Sequence, residues 1–326
     1  MNPIVLSSLI PVVLLIAIGF IAGRAGYIRS EATKDLAALV FMVLTPALLF
    51  RTMSTVHVER LDFKPVAVYF AAAILMFAVM LIWQGATRRA AVLALAATFS
   101  NTVAIGIPLI GLAYGQAGLV TLFTLISLHA LIMLTLATVM LELAVAHEAA
   151  SKVPPESDDD AGTRRRRMAR MVLGALRNGI LHPVPLPIII GLMFAQTGIA
   201  LPEVIDRPLL LLGNAMGPLA LVLVGATLAS ARIGEQLKGA LGLALLKNLA
   251  LPALVAVLGW AMGLTGLPLT VMIVAASLPI GANVFMFSQR YEVAEELVTA
   301  AVAVSTVLGL VTISVVMGVV GVVGWV

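Results

Sequence analysis

Apolar residues fill the chain in runs of about twenty, separated by short stretches that hold most of the charges, glycines and prolines. A helix crossing the hydrocarbon core of a bilayer needs ~20 mostly apolar residues. The runs divide into ten such spans, near 4–23, 36–54, 65–83, 90–112, 117–146, 172–197, 207–230, 238–262, 269–289 and 293–323. The pattern predicts an all-α integral membrane protein. The first run opens Met1-Asn2-Pro3 and meets its first basic residue only at Arg24, so it lacks the positive leader of a signal peptide and is expected to stay in the mature chain.

One segment has a different character. From 147 to 171 the chain carries two adjacent prolines (Pro154, Pro155), three aspartates and the run Arg164 to Arg167, with almost nothing to bury. It reads as a linker between two five-span halves, 1–146 and 172–326. With the N-terminus outside, the inward segments hold fifteen basic residues: Arg24, Arg29, Lys34, Arg88, Arg89, Lys152, Arg164 to Arg167, Arg170, Arg177, Arg232, Lys238 and Arg290. The outward segments hold Arg51, Arg60, Lys64 and Arg207. This positive-inside bias predicts a cytoplasmic linker and both termini outside the cytoplasm.

Composition agrees with the pattern. Of the 326 residues 61% are hydrophobic and 11% charged, against roughly 45–50% and 25% in a soluble domain. A pI near 9.7 would point a soluble protein toward nucleic acid; here the arginines sit at span ends and set orientation, so no nucleic-acid partner is expected. The chain has no cysteine, and His57, His129, His147 and His182 show no ligand spacing. Neither a metal site nor a cofactor is expected.

The two halves repeat each other. Ile18-Gly19 and Gly26 recur as Ile190-Gly191 and Gly198, and Pro46 as Pro218, all at an offset of 172. Trp83 and Ser100 recur as Trp260 and Ser277 at 177, and Leu119-Val-Thr121 as Leu297-Val-Thr299 at 178. Because five is odd, the second half enters the membrane from the opposite side, which makes this an inverted repeat of the kind found in secondary transporters.

Spans four and nine carry helix-breaking residues at matching depths. Span four holds Ser100, Asn101, Thr102, Gly106 and Pro108; span nine holds Ser277, Pro279, Gly281 and Asn283. Proline removes a backbone donor and glycine permits unwinding. Both spans are expected to open near their centres and cross. The crossing would offer two helix N-termini and the side-chain amides of Asn101 and Asn283, chemistry suited to a small carboxylate. The alternative is that the prolines are ordinary kinks and the asparagines join helices.

Lys247, beside Asn248 in span eight, lies about 13 Å from the inner surface at ~1.5 Å per residue. Charge at that depth is usually functional. It reads as a positive charge near the crossing that offsets an anion, or as a group standing where a coupling cation would sit; snorkelling to the inner face is the alternative. His129 in span five is a candidate proton carrier, or a buried neutral histidine with one hydrogen bond. Glu142 reads as interfacial, and no acidic cluster for sodium or protons is visible.

At these motifs the sequence resembles the auxin efflux carrier family in its bacterial branch. The likeness rests on Asn101-Thr102, Gly106-Ile-Pro-Leu109, Tyr114-Gly115, Pro279-x-x-x-Asn283-x-Phe285 and Tyr291, with Pro46, Gly191 and Pro218-Leu-Ala-Leu221. The resemblance covers nearly the whole chain. It implies ten helices in a fold like that of the bile-acid/sodium symporters. Helices 1, 2, 6 and 7 would form a scaffold and homodimer surface, and helices 3–5 and 8–10 a mobile transport domain. It also implies small organic anions as substrates, such as auxin in plants and malonate-like carboxylates in bacteria. His182-Pro183 departs from the usual asparagine-proline start of helix six, and the central linker is short.

The combined expectation is a secondary transporter of the bacterial inner membrane that moves a small carboxylate by an elevator-like displacement. An intramembrane enzyme would need a nucleophile with a base or paired carboxylates, and no aspartate lies mid-span. A sensor or binding protein without net transport would want a larger soluble output domain than the linker.

Overall fold

The computed structural model describes residues 3–56, 62–150, 185–230 and 234–323, and every named element among them is helical. Lipid offers no partners for backbone N–H and C=O groups, so long apolar runs become helices that satisfy their own. In chain order, α1 is Pro3–Arg24 and α2 is Ser30–Leu39, which runs through a π-helical turn (Val40–Leu44) into α3, Thr45–Met53. Then come α4 (Lys64–Gln84), α5 (Arg88–Thr98), a π turn at Thr102–Gly106 and α6 (Ile107–Ala150). The second half holds α7 (Pro185–Ala195), α8 (Glu203–Ser230) and α9 (Leu237–Leu245). A further π turn (Leu246–Ala250) leads into α10 (Leu251–Ala261), followed by α11 (Gly266–Ser277), α12 (Asn283–Arg290) and α13 (Glu295–Val323). Beyond Ala150, the linker expected over 147–171 lies outside the described residues, as do His182, Pro183 and the start of the sixth expected span.

Among the described residues, six stretches are long and apolar enough to cross a bilayer: Glu31–Met53, Lys64–Gln84, Thr102–Val145, Glu203–Ser230, Gly234–Ala261 and Glu295–Val322. The 21 residues of α4 span about 30 Å, the thickness of the hydrocarbon core. The 44 residues of α6 are not one rod. Gly115 has φ 59° and ψ −151°, a conformation open to glycine alone, and the chain changes direction there.

The short helices α5 and α11 lie innermost, with Ala90 to Thr98 and Leu269 to Ser277 buried without exception. Their small residues let neighbouring backbones approach. α4 packs on α5 and α10, α9 on α13, and α11 on α10, α6 and α13; α1 lies along α8, and α3 packs on α7 and α8. On the α1–α8 contact, a β-carbon at Gly19 would overlap the Val222 carbonyl oxygen, and one at Gly225 the Ile16 carbonyl oxygen. On α7, a β-carbon at Gly191 would come within 2.8 Å of the Phe50 carbonyl oxygen of α3.

Glycines with positive φ also end several helices. Gly26 (φ 75°) follows α1 and Gly198 (φ 68°) follows α7; Gly85 (φ 79°) follows α4 and Gly263 (φ 68°) follows α10. Close to the last two, Trp83 and Trp260 are 76% and 71% exposed, the placement of aromatic residues at a membrane–water interface.

Candidate functional site

α5 ends at Thr98 and α11 at Ser277, and the extended segments that follow lie antiparallel to each other, bridged at Ser100 and Ile280. The Asn101 N–H donates to the Pro279 carbonyl at 2.8 Å, and the Gly281 N–H donates to the Phe99 carbonyl at 2.9 Å. Each break thus supplies the partners that the other's backbone loses when its helix stops, which removes a cost of several kcal/mol per buried group. The contacts between side chains are reciprocal too. A β-carbon at Gly106 would lie 2.8 Å from Leu278 Cδ1, and one at Gly281 would lie 2.7 Å from Phe99 Cδ1. At Gly281 the crowding also involves the Ser100 carbonyl oxygen at 3.2 Å, whereas at Gly106 only the end of the Leu278 side chain would have to move.

Asn101 is half-buried and caps the π turn that follows it, its Oδ1 accepting from the Ala104 N–H at 3.3 Å. With Oδ1 engaged there, the two Nδ2 donors are what Asn101 can offer a ligand. Asn283, also half-buried, is the first residue of α12, whose N-cap position is taken by exposed Ala282 with no side-chain cap. Both asparagines therefore stand at the start of a helical stretch, where N–H groups and the positive end of the dipole gather. Pro108 sits in the first turn of α6, where its missing N–H costs little, and Pro279 lies in the break itself, lending its carbonyl to Asn101.

The two serines point elsewhere. The Ser277 hydroxyl donates back to the Val274 carbonyl at 2.8 Å, while Ser100 Oγ lies 2.9 Å from the Tyr69 hydroxyl. Tyr69 is fully buried in α4 and also lies 3.2 Å from His129 Nε2. The His129 ring stacks on Phe99 with centroids 4.4 Å apart. Ser100, Tyr69 and His129 form one buried polar string ending at the first break. Tyr69 escaped the sequence reading; its only signal was a hydroxyl within an otherwise apolar span.

At the second break, Lys247 is completely buried and its Nζ donates to the carbonyls of Ala276 (2.6 Å) and Leu278 (2.7 Å). Asn248 Nδ2 donates to the Ser305 carbonyl at 2.8 Å, and Ser305 Oγ accepts from the Ile280 N–H at 3.1 Å. Ser305, on α13, is a second residue that the sequence did not single out.

Two ties lie farther out. Arg51 of α3 donates through Nη2 to Asp206 Oδ2 of α8 at 3.0 Å, with Nε 2.7 Å from Oδ1 but out of line for a hydrogen bond. The Tyr291 hydroxyl donates to Glu142 Oε1 at 3.1 Å, joining the end of α12 to α6. Burial, reinforced by the Glu142 carboxylate and opposed by Arg290, pushes the Tyr291 hydroxyl up to about 12.

The family model described as a membrane transport protein matches residues 4–317. The chain belongs to this family, that of the auxin efflux carriers. This auxin efflux carrier family member is 26% identical over 308 residues to a Rhizobium meliloti (strain 1021) protein named "Putative malonate transporter", covering 92% of this chain and 91% of the relative. It is 24% identical over 353 residues to "Auxin efflux carrier component 8" of Arabidopsis thaliana, covering 94% and 95%. The family is one of multi-pass membrane transporters, not of enzymes.

Proposed function

We propose that this protein is a secondary transporter that carries a small organic anion, a carboxylate of the malonate or aromatic acetic acid kind, across the bacterial inner membrane. The observation that carries this reading is the pairing of the two helix breaks, which sets half-buried Asn101 and Asn283 at two helical N-termini within the membrane-spanning bundle. Anions are favoured at such ends, and the amide donors of Asn101 and Asn283 can orient a carboxylate. Ser100, Ser277 and Lys247 border the same breaks, and the charge of Lys247 favours an anion there without touching it.

In this reading the fold is a ten-helix inverted repeat. The contact between Gly19 and Val222 supports it, because Gly191 and Phe50 make the corresponding contact and both members of each pair are related by the offset of 172. The matched positive-φ glycines add support. The spans of α1–α3, α7 and α8 pack together as a scaffold, and those of α4–α6 and α9–α13 form the transport domain that would slide past it. An exposed apolar face on α1, with Ile10, Leu14, Ile18 and Ile21, suits either lipid or a second copy of the scaffold. The termini would face outside and the linker inside.

The test is uptake of labelled malonate and indole-3-acetate into proteoliposomes, beside thermal shift with the same acids. Saturable flux of either acid, lost in Asn283→Ala, is expected. Binding with no flux would make the protein a sensor, and neither binding nor flux of any organic acid would overturn the reading.

A further inference from the structure

α11 stops at Ser277 inside the bundle; its Val274 carbonyl accepts from the Ser277 hydroxyl and its Ala275 carbonyl from the Leu278 N–H, while the Ala276 carbonyl finds its partner outside the helix. A helix C-terminus carries partial negative charge and favours a cation. Water does this work at a surface; among fully buried residues something else must. Lys247 stands there. It bonds the carbonyls of Ala276 and Leu278, one on each side of the helix end, and its whole side chain is shielded from solvent. The adjoining Asn248 has a buried Oδ1 without a hydrogen-bond partner, a further oxygen acceptor beside this turn. Snorkelling is excluded in this arrangement, because the ammonium is directed at α11.

Among the described residues the first break has no such lysine. Tyr69, which precedes Lys247 by 178 residues and so occupies about the equivalent place in the first half, presents a neutral hydroxyl to Ser100 instead. Among the described residues, then, a lysine serves the second break and a tyrosine the first.

We infer that Lys247 is a tethered cation which holds the carbonyl end of α11 in the position that pairs the second break with the first, in the place a dissociable monovalent cation would otherwise have to fill. The anion-binding arrangement then forms without sodium or potassium. Lys247 is a positioning residue, acting through Ala276 and Leu278 on Pro279 to Asn283, and its significance for transport rests on the reading of the paired breaks as the anion site.

The experiment uses the full chain in lipid nanodiscs and follows its thermal unfolding midpoint in sodium, potassium, methylammonium or choline chloride at equal ionic strength. The wild type should not distinguish sodium or potassium from choline. Lys247→Ala, which vacates the space of the stem and ammonium, should unfold at lower temperature and regain stability saturably with methylammonium or sodium but not with choline. Lys247→Met, which refills the space with an apolar stem, should stay low in every salt. A selective gain of the wild type in sodium, or a Lys247→Ala protein indifferent to the cation, would overturn the inference. Should Lys247→Ala not fold, Lys247→Gln keeps a donor for the carbonyls without the charge. It is expected to fold with a lowered midpoint and to bind malonate about tenfold more weakly; an unchanged midpoint would sink the claim. The stability readings stand even if malonate proves not to be a ligand, so failure of the transport reading is seen separately.

Discussion

Gly19 of α1 lies so close to the carbonyl of Val222 on α8 that no β-carbon fits between them. Gly19→Ala must therefore push the two helices apart, and overpacking of this kind costs about 1–3 kcal/mol. The counterpart Gly191→Ala, against the Phe50 carbonyl, should cost a similar amount. Gly242→Ala in α9, where a β-carbon would meet nothing within 4 Å, should be neutral or stabilising, because alanine favours helix by roughly 0.5–1 kcal/mol. Unfolding of the three variants in detergent or nanodiscs checks the ordering; a tolerant Gly19→Ala would mean that the helices are not held this closely.

Gly281→Ala places a methyl group 2.7 Å from Phe99 Cδ1 and 3.2 Å from the Ser100 carbonyl. The ring cannot yield freely, since His129 stacks on it. Loss of stability should be partly relieved in a Phe99→Ala background, with a coupling of about 0.5–3 kcal/mol as for residues in direct contact. Strict additivity in the double-mutant cycle would show that the breaks do not lean on each other through this pair.

Substitutions at Asn101 separate its structural and ligand roles. Asn101→Asp keeps the oxygen that accepts from Ala104 but replaces the amide donors with negative charge, so the fold should survive while carboxylate affinity disappears. Asn101→Ala loses the cap as well, at about 1 kcal/mol. Equal affinities for malonate in Asn101→Asp and wild type, measured by thermal shift or isotherm, would remove Asn101 from the anion site.

Tyr69→Phe deletes the hydroxyl that joins Ser100 and His129 and leaves both without that partner. A buried polar group stripped of its bond costs about 1–3 kcal/mol. The double variant Tyr69→Phe with Ser100→Ala should be less destabilised than the sum of the singles, since no orphaned serine hydroxyl remains. A Tyr69→Phe midpoint equal to wild type would refute the structural weight given to this string.

The positions of the breaks were legible because proline, glycine and asparagine have local effects that need no partner. Pro279 has no N–H to donate, and at the bend in α6 Gly115 alone can adopt its φ and ψ. The membrane class was legible for a similar reason, since an apolar run announces its solvent. What stayed hidden depends on distant residues. Tyr69 reads as one more apolar position until Ser100 and His129 are seen beside it. Lys247 could be placed at depth from sequence, but the direction of its ammonium follows from where α11 ends, which the pattern of α9 does not contain. The interval of 172 between Gly19 and Gly191 was visible in the sequence, whereas the carbonyls they admit belong to α8 and α3.

The hydrogen bonds between the breaks join Asn101 to Pro279 and Phe99 to Gly281, residues about 180 positions apart. During synthesis α1 to α6 thus leave the ribosome with an open backbone at the end of α5 and nothing from α11 to cover it. Until α11 and the residues after it are inserted, that segment must borrow partners from water, lipid headgroups or the insertion machinery. Completion of the second half is then the event that seals the first, and a truncated chain ending before residue 279 should be a substrate for membrane quality control, not a half-sized carrier.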